Sequence, residues 1–217
     1  MPQSVTIPIS FFEALIDYER TNVSLWLDRV GVVQALFDTF AKWNVKVDDV
    51  EVLTVGKNSE QGVKFRLPEK RVTFSFNPAA CRFTRDNTSW DTAQETIEIL
   101  SAAVSTLAKA GNVKPATFKA IVALHIQPKS VSFGEILKKL VPSPMAALDT
   151  APVQTMASIL KWEKRRVTID GSGQVANGIF IRFERDFTSE TGYEDIARQL
   201  RADEEGIFAM LDVKEEA

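Results

Sequence analysis

The chain has 217 residues, of which 45% are hydrophobic and 25% charged. This is the composition of an ordinary globular protein, one large domain or two small ones, and it calls for no unusual class. The 26 basic and 29 acidic side chains leave a formal charge of −3, which speaks against a protein that neutralises many phosphates but leaves room for a local basic patch.

Residues 4–15, SVTIPISFFEAL, alternate Val5, Ile7 and Ile9 with Thr6, Pro8 and Ser10, which predicts a strand. Pro8 has no amide hydrogen to donate, so this part of the strand is expected at an edge or a bulge. Residues 24–43 predict the first helix, with Val30, Val33, Phe37, Phe40 and Ala41 on one apolar face and Asn22 or Ser24 as its cap. Four short strands follow, at 46–55, 62–67, 71–77 and 80–84. Val72, Phe74 and Phe76 face one way and Thr73 and Ser75 the other, and Gly, Asn and Pro fill the connections. An antiparallel meander is expected. A long helix is predicted from 89 to 110, with Trp90, Ala93, Ile97, Leu100, Val104 and Leu107 as its buried stripe. Gly111 and Asn112 end it, with Pro115 beyond.

The second half starts again. Residues 116–127 predict a strand with an apolar centre, and 132–141 a short helix opened by a capping box of Ser132 and Glu135. A loop is expected over 142–153, which holds Pro142, Pro144 and Pro152. Strands follow at 154–163, 166–170 and 176–186, with a turn at Gly171-Ser172-Gly173. The last helix spans 192–211 and turns Tyr193, Ile196, Ala197, Leu200, Ile207, Phe208 and Leu211 to one face.

Both halves therefore read strand, helix, several strands, helix. The stretches FTRDNTSWD (83–91) and FTSETGYE (187–194) share a Phe-Thr start and a Thr-x-aromatic-acid end. Thr88 and Thr191 are expected as helix caps, with Asp91 and Glu194 reaching back to the cap amides and Trp90 and Tyr193 as anchors. The acids also oppose the positive helix end and repel anions, so the pair is construction rather than an anion site. It divides the chain into repeats at 1–113 and 114–217, within one continuous domain.

Few residues invite chemistry. His125 is the only histidine and lies in the apolar run IVALHIQ, beside Ile121 and Ala123, where a structural role outweighs that of a base or ligand. Cys81 is the only cysteine; it permits no intrachain disulfide and is expected as inert core. Asp48, Asp49 and Glu51 lack the spacing of a calcium loop and read as a solvated strand end. Lys161, Lys164, Arg165 and Arg166, around Trp162 in KWEKRR, could stack on nucleobases; the preferred reading is a hairpin edge protected by charge. Phosphate-loop, dinucleotide, nucleophile-elbow and zinc-protease motifs are absent from the sequence. No catalytic or metal site and no cofactor are assigned, and the ligand-binding residues are unknown at this level.

The order of elements resembles the TATA-binding-protein-like and helix-grip architectures, in which a curved antiparallel sheet carries long helices. The segments FTRDNTSWDTAQETIEIL (83–100) and VALHIQPKSVSFGEILKK (122–139) are similar to a sporadically distributed bacterial family of uncharacterised, duplicated α+β proteins. The resemblance implies an α+β fold, an antiparallel sheet with helices packed on one face in pseudo-duplicated units. It carries no functional positions over. No apolar run is long enough to span a membrane and the N-terminus lacks a signal-peptide pattern, so the cytoplasm is expected and a membrane partner is not. The expected function is binding rather than catalysis: a protein partner or a second copy on the open face or an edge of the sheet. The alternative is a small molecule in a helix-grip cavity; nucleic acid on the sheet is a weaker third. A large exposed apolar patch favours the first reading, and an enclosed apolar cavity the second.

Overall fold

The computed structural model describes residues 2–53, 62–140 and 158–216. In chain order the elements are β1 (Gln3–Tyr18), α1 (Ser24–Leu27), α2 (Arg29–Phe40), β2 (Val50–Leu53), β3 (Gly62–Leu67), β4 (Val72–Phe76), β5 (Ala80–Asp86), α3 (Ala93–Gly111), β6 (Pro115–Pro128), α4 (Phe133–Leu137), β7 (Ser158–Lys161), β8 (Arg165–Gly171), β9 (Ile179–Thr188), α5 (Tyr193–Leu211) and β10 (Val213–Glu215). The protein is of the α+β class. The loop expected over 142–153, the start of the strand at 154–163, the end of the short helix at 141 and the end of the strand at 46–55 lie outside the described residues.

The chain divides into two compact units. Unit 1 comprises Met1–Ser10, Ile121–Arg185 and Arg198–Ala217; unit 2 comprises Phe11–Ala120 and Asp186–Ala197. The units interleave along the chain, and β1, β6, β9 and α5 each pass from one to the other.

In unit 2 the strands run β2-β3-β4-β5-β1, an antiparallel meander closed by the C-terminal half of β1. Alternation sorts the side chains into two faces. Phe65, Leu67, Phe74 and Phe83 are 0% exposed and form the inner face. Phe40 of α2 drops onto it, its ring centroid 5.3 Å from Phe65 and 5.9 Å from Phe74. From α3, Ile99, Leu100, Ala103, Val104 and Leu107 bury against the same core. Both helices thus lie on one face.

The helix expected over 24–43 is broken at Asp28 into α1 and α2 and ends in a 3₁₀ turn, Ala41–Trp43. Its buried residues are Leu25, Val32, Leu36, Phe40 and Trp43, and Val30 is 81% exposed. Both this stripe and the predicted one have helical spacing and share Phe40, and the observed one turns Val32 and Leu36 inward with it. Asn22, expected as a cap of this helix, reaches the end of α3 with its side-chain amide. Its Nδ2 donates to the Gly111 and Asn112 carbonyls at 2.9 and 3.0 Å, satisfying the C-terminal end of α3. In α3 the core takes Ile99 in place of the predicted Ile97.

In unit 1 the N-terminal half of β1 continues the order β1-β6-β9-β8-β7, and β10 pairs with β1 in parallel. Ile169, Ile181 and Phe183 face α5, which contributes Leu200, Ile207 and Leu211. The expected capping box opens α4: Glu135 N donates to Ser132 Oγ at 3.3 Å and Ser132 N to Glu135 Oε2 at 3.2 Å. β1 is an interior strand, and the part around Pro8, expected at an edge or a bulge, lies outside the ladders to β10 and β5. Residues 3–5 pair with β10 and residues 11–17 with β5, so Pro8 falls between the two ladders, where neither needs its amide. The strand expected at 46–55 starts as a 3₁₀ turn, Val47–Asp49.

Candidate functional site

The paired stretches build helix entries, with the cap one residue later than expected. β5 continues to Asp86 and Asn87 takes a left-handed φ of 50°. This exit turn uses up Thr88 and delivers Ser89 to the cap, ahead of a 3₁₀ turn at Trp90–Thr92. The Ser89 amide donates to Thr92 Oγ1 at 3.1 Å, so Thr92 makes the reciprocal bond assigned to Asp91. In the second stretch the Gly192 carbonyl accepts from Ile196 N at 3.0 Å, which makes Gly192 the cap, and Thr191 Oγ1 bonds Thr188 Oγ1 at 3.1 Å. Trp90 and Tyr193 keep equivalent places as the first helical residues. Tyr193 packs edge-on to Phe118 at 6.1 Å, as an anchor should.

His125 and Ser172 come together in unit 1. Nδ1 and Oγ are 2.7 Å apart, and the imidazole lies tilted by 41° against Phe180, ring centres 5.0 Å apart. Ser172 Oγ accepts from the amides of Gln174 and Val175 at 3.1 and 2.9 Å. Its own proton therefore goes to Nδ1, which puts the ring proton on Nε2. Burial pulls the His125 pKa down and favours this neutral form. A nucleophile–base pair has such spacing. Here the serine lone pairs hold a loop, and among the described residues no acid hydrogen-bonds the ring. The pair fastens residues 172–178 to β6.

Cys81 lies in unit 2, far along the chain from these groups, and is 3% exposed. Burial pushes its thiol up to about 12. The Tyr18 hydroxyl beside it is also raised by burial, and it is buried without a hydrogen-bond partner among the described residues, the thiol being only a weak acceptor. A thiol held protonated in this way is a poor nucleophile. The acidic cluster is likewise occupied. Asp49 Oδ2 accepts from Lys46 N at 2.9 Å, and Glu51 pairs with Arg66 at 2.6 Å and Lys64 at 3.8 Å. Among the described residues no His, Cys, Asp and Glu cluster of three or more could hold a metal.

KWEKRR forms the β7–β8 hairpin turn. Lys161 pairs with Arg166, and Trp162 N donates to Arg165 O at 2.8 Å. The Arg165 guanidinium lies 5.3 Å from the Trp162 ring centre and bonds Asp203 of α5 at 3.2 Å. Arg185 reaches the same carboxylate at 2.8 Å. Leu160 and Trp162, with Ile207 and Met210 of α5, border a groove of about 190 Å³.

The outer face of unit 2 carries a larger open trough of about 770 Å³ that crosses its strands. Its charged lining is balanced: Arg82 and Lys119 against Asp17 and Asp186. Glu13 is 7% exposed at this face and ion-pairs Arg82, which holds the guanidinium in place. Lys119 lies 3.7 Å from Asp186, and Thr117 Oγ1 donates to Asp17 at 2.9 Å. Composition and motif reading did not single out these residues. The one available signal was the alternation in β1, which places Glu13 and Asp17 on the same face as Phe11 and Leu15.

No family model matches the chain, and no curated protein matches it. Among the described residues no helix is long and apolar enough to cross a membrane.

Proposed function

We propose that the chain is a binding protein whose unit 1 takes an extended, acidic segment of a protein partner along β7. One observation carries this: Ile159, Leu160 and Trp162 are 58%, 37% and 47% exposed on one short strand and its turn, with Met210 on α5 40% exposed beside them. Among the described residues β7 has a single ladder neighbour, β8. Leu160 and Trp162 border the groove toward α5, while alternation turns Ile159 to the opposite face. A strand added at this edge would cover both faces at once and bond the backbone groups that have no ladder partner among the described residues. Lys161, Lys164 and Arg166 flank it, which favours acidic side chains in the added strand.

The test uses fluorescence anisotropy of a labelled heptapeptide alternating valine and glutamate, against its valine–lysine counterpart and a second copy of the chain. Binding of the acidic peptide that is lost in Ile159→Glu and in Trp162→Ala, at unchanged melting temperature, supports the reading. Equal binding of both peptides, or none, overturns it, and concentration-dependent dimerisation abolished by Ile159→Glu would replace the partner by a second copy.

Nucleic acid on the sheet is less well supported, because Lys64, Arg66, Arg82 and Lys119 in unit 2 each pair with an acid. The two halves are read as duplicates, like the TATA-binding-protein-like order of elements. Support comes from the matched helix entries at Ser89-Trp90 and Gly192-Tyr193, each following a meander. A cytoplasmic setting fits the single, buried, free cysteine.

A further inference from the structure

We infer that the outer trough of unit 2 is a second binding site and that its ligand class is a short zwitterionic peptide of two or three residues. The argument begins with the strand register. Ser75, Arg82 and Leu15 stand in one cross-strand row on β4, β5 and β1. Glu19 N donates to Lys114 O at 3.0 Å, and Thr117 bonds Asp17. β6 therefore runs antiparallel to β1, and Lys119 of β6 lines the trough together with Leu15. Lys119 in turn meets Asp186.

The trough thus presents a cation from the strand on each side of β1, on strands two spacings or roughly 10 Å apart. Long side chains from both strands can converge on an anion placed over Leu15. Arg82 is prepared for this role: its partner Glu13 is buried, whereas the arginine side chain is 55% exposed. A planar guanidinium so held suits a carboxylate. Asp17 lies two residues further along β1, about 7 Å from Leu15, and is exposed toward the trough. A ligand that places its carboxylate over Leu15 and its ammonium at Asp17 needs its charges about 7 Å apart, the span of roughly two residues of extended chain. A single α-amino acid is too short. The trough volume of about 770 Å³ falls within the usual range of small-ligand sites, about 300–1,000 Å³. Phe187 and Leu15 in the lining supply apolar contact for side chains. The equal count of both charge signs disfavours a purely anionic ligand such as a nucleotide.

The probe is leucyl-leucine, with N-acetyl-leucyl-leucine and leucyl-leucinamide as forms lacking one charge, titrated into the full chain by calorimetry. The free dipeptide is expected to bind at least about tenfold more tightly than either blocked form, the ratio of one charge-assisted hydrogen bond. Lys119→Gln is expected to weaken the free dipeptide and the N-acetyl form alike. Asp17→Asn is expected to weaken the free dipeptide and leave the N-acetyl form unchanged. Both changes are at the surface, so folding is retained where Arg82→Gln would leave Glu13 buried and unpaired. Equal affinity for all three compounds, no heat at 10 mM, or indifference to both substitutions overturns the site. Loss of dipeptide binding leaves the β7 reading untouched, since the peptide test there uses different residues in a different unit.

Discussion

Arg85 shows how one residue ties strand to helix. It is 6% exposed on the inner face of unit 2, among phenylalanines, where an unpaired guanidinium would be costly. Its Nη1 donates to Thr96 Oγ1 and its Nη2 to Glu95 Oε2, both at 2.8 Å, and Lys70 adds a contact to Glu95 at 2.5 Å. Hydrogen bonds from Lys70 and then Arg85 hold the Glu95 carboxyl below its ordinary value. Glu95 in the folded state therefore stays ionised to lower pH than in the unfolded chain, whose glutamate titrates near about 4.3. The stabilisation is present above that pH and is lost as pH falls through the lower folded value. Glu95→Ala should cost about 1–3 kcal/mol at pH 7, and the gap to the parent chain should close in acid. Urea midpoints from pH 7 to 2 check this; a gap independent of pH would show that Glu95 acts by packing alone. His125 works in a different window. Its folded pKa is depressed by burial, so its contribution is present above about 6.5 and lost as pH falls below. His125→Gln should remove the loss of stability between pH 7 and 5, as read by thermal melts. Neither network was legible in the sequence: Glu95 and Ser172 are ordinary surface-type residues until the fold brings them to Arg85 and His125.

Individual elements were read most securely where one period dominates. β3, β4 and α5 appear within one or two residues of their predicted bounds, as does α3 once the 3₁₀ turn at Trp90–Thr92 is counted with it, because alternation or a single apolar stripe leaves one solution. α2 was harder. Apolar residues on several faces allow two stripes that share Phe40, and only the packed fold shows that Val32 and Leu36 turn inward with it. The cap shift from Thr88 to Ser89 has a similar origin, since the length of the exit turn from β5 follows from the left-handed Asn87. The C-terminus of α3 offers an element-scale test. A Cβ on Gly111 would lie 2.4 Å from Leu25 Cδ2, and Leu25 is 2% exposed. Helix propensity alone predicts that Gly111→Ala stabilises by about 1 kcal/mol. The close approach of α1 should reverse the sign, to a loss of about 1–3 kcal/mol. Chemical denaturation decides; a gain would show that Leu25 moves aside freely.

At the scale of the molecule, β1, β6 and β9 run unbroken through both units. A unit that unfolds must release strands the other also uses. Phe40→Ala, in the core of unit 2, should cost about 3–5 kcal/mol and lower the single calorimetric transition of the whole chain rather than split it. Two separated transitions would show that the units melt independently. The amino-acid sequence by itself determined the α+β class, the antiparallel meander, the two long helices with their aromatic entries and the capping box of α4, because each follows from local periodicity or turn chemistry. Tertiary structure alone decided that β1 is an interior strand, that Arg82 and Lys119 line one trough with Leu15, and that His125 meets Ser172. The physical reason is the same in each case. Strand order and register bring together residues far apart in the chain, and no local pattern encodes which partner lies across the sheet.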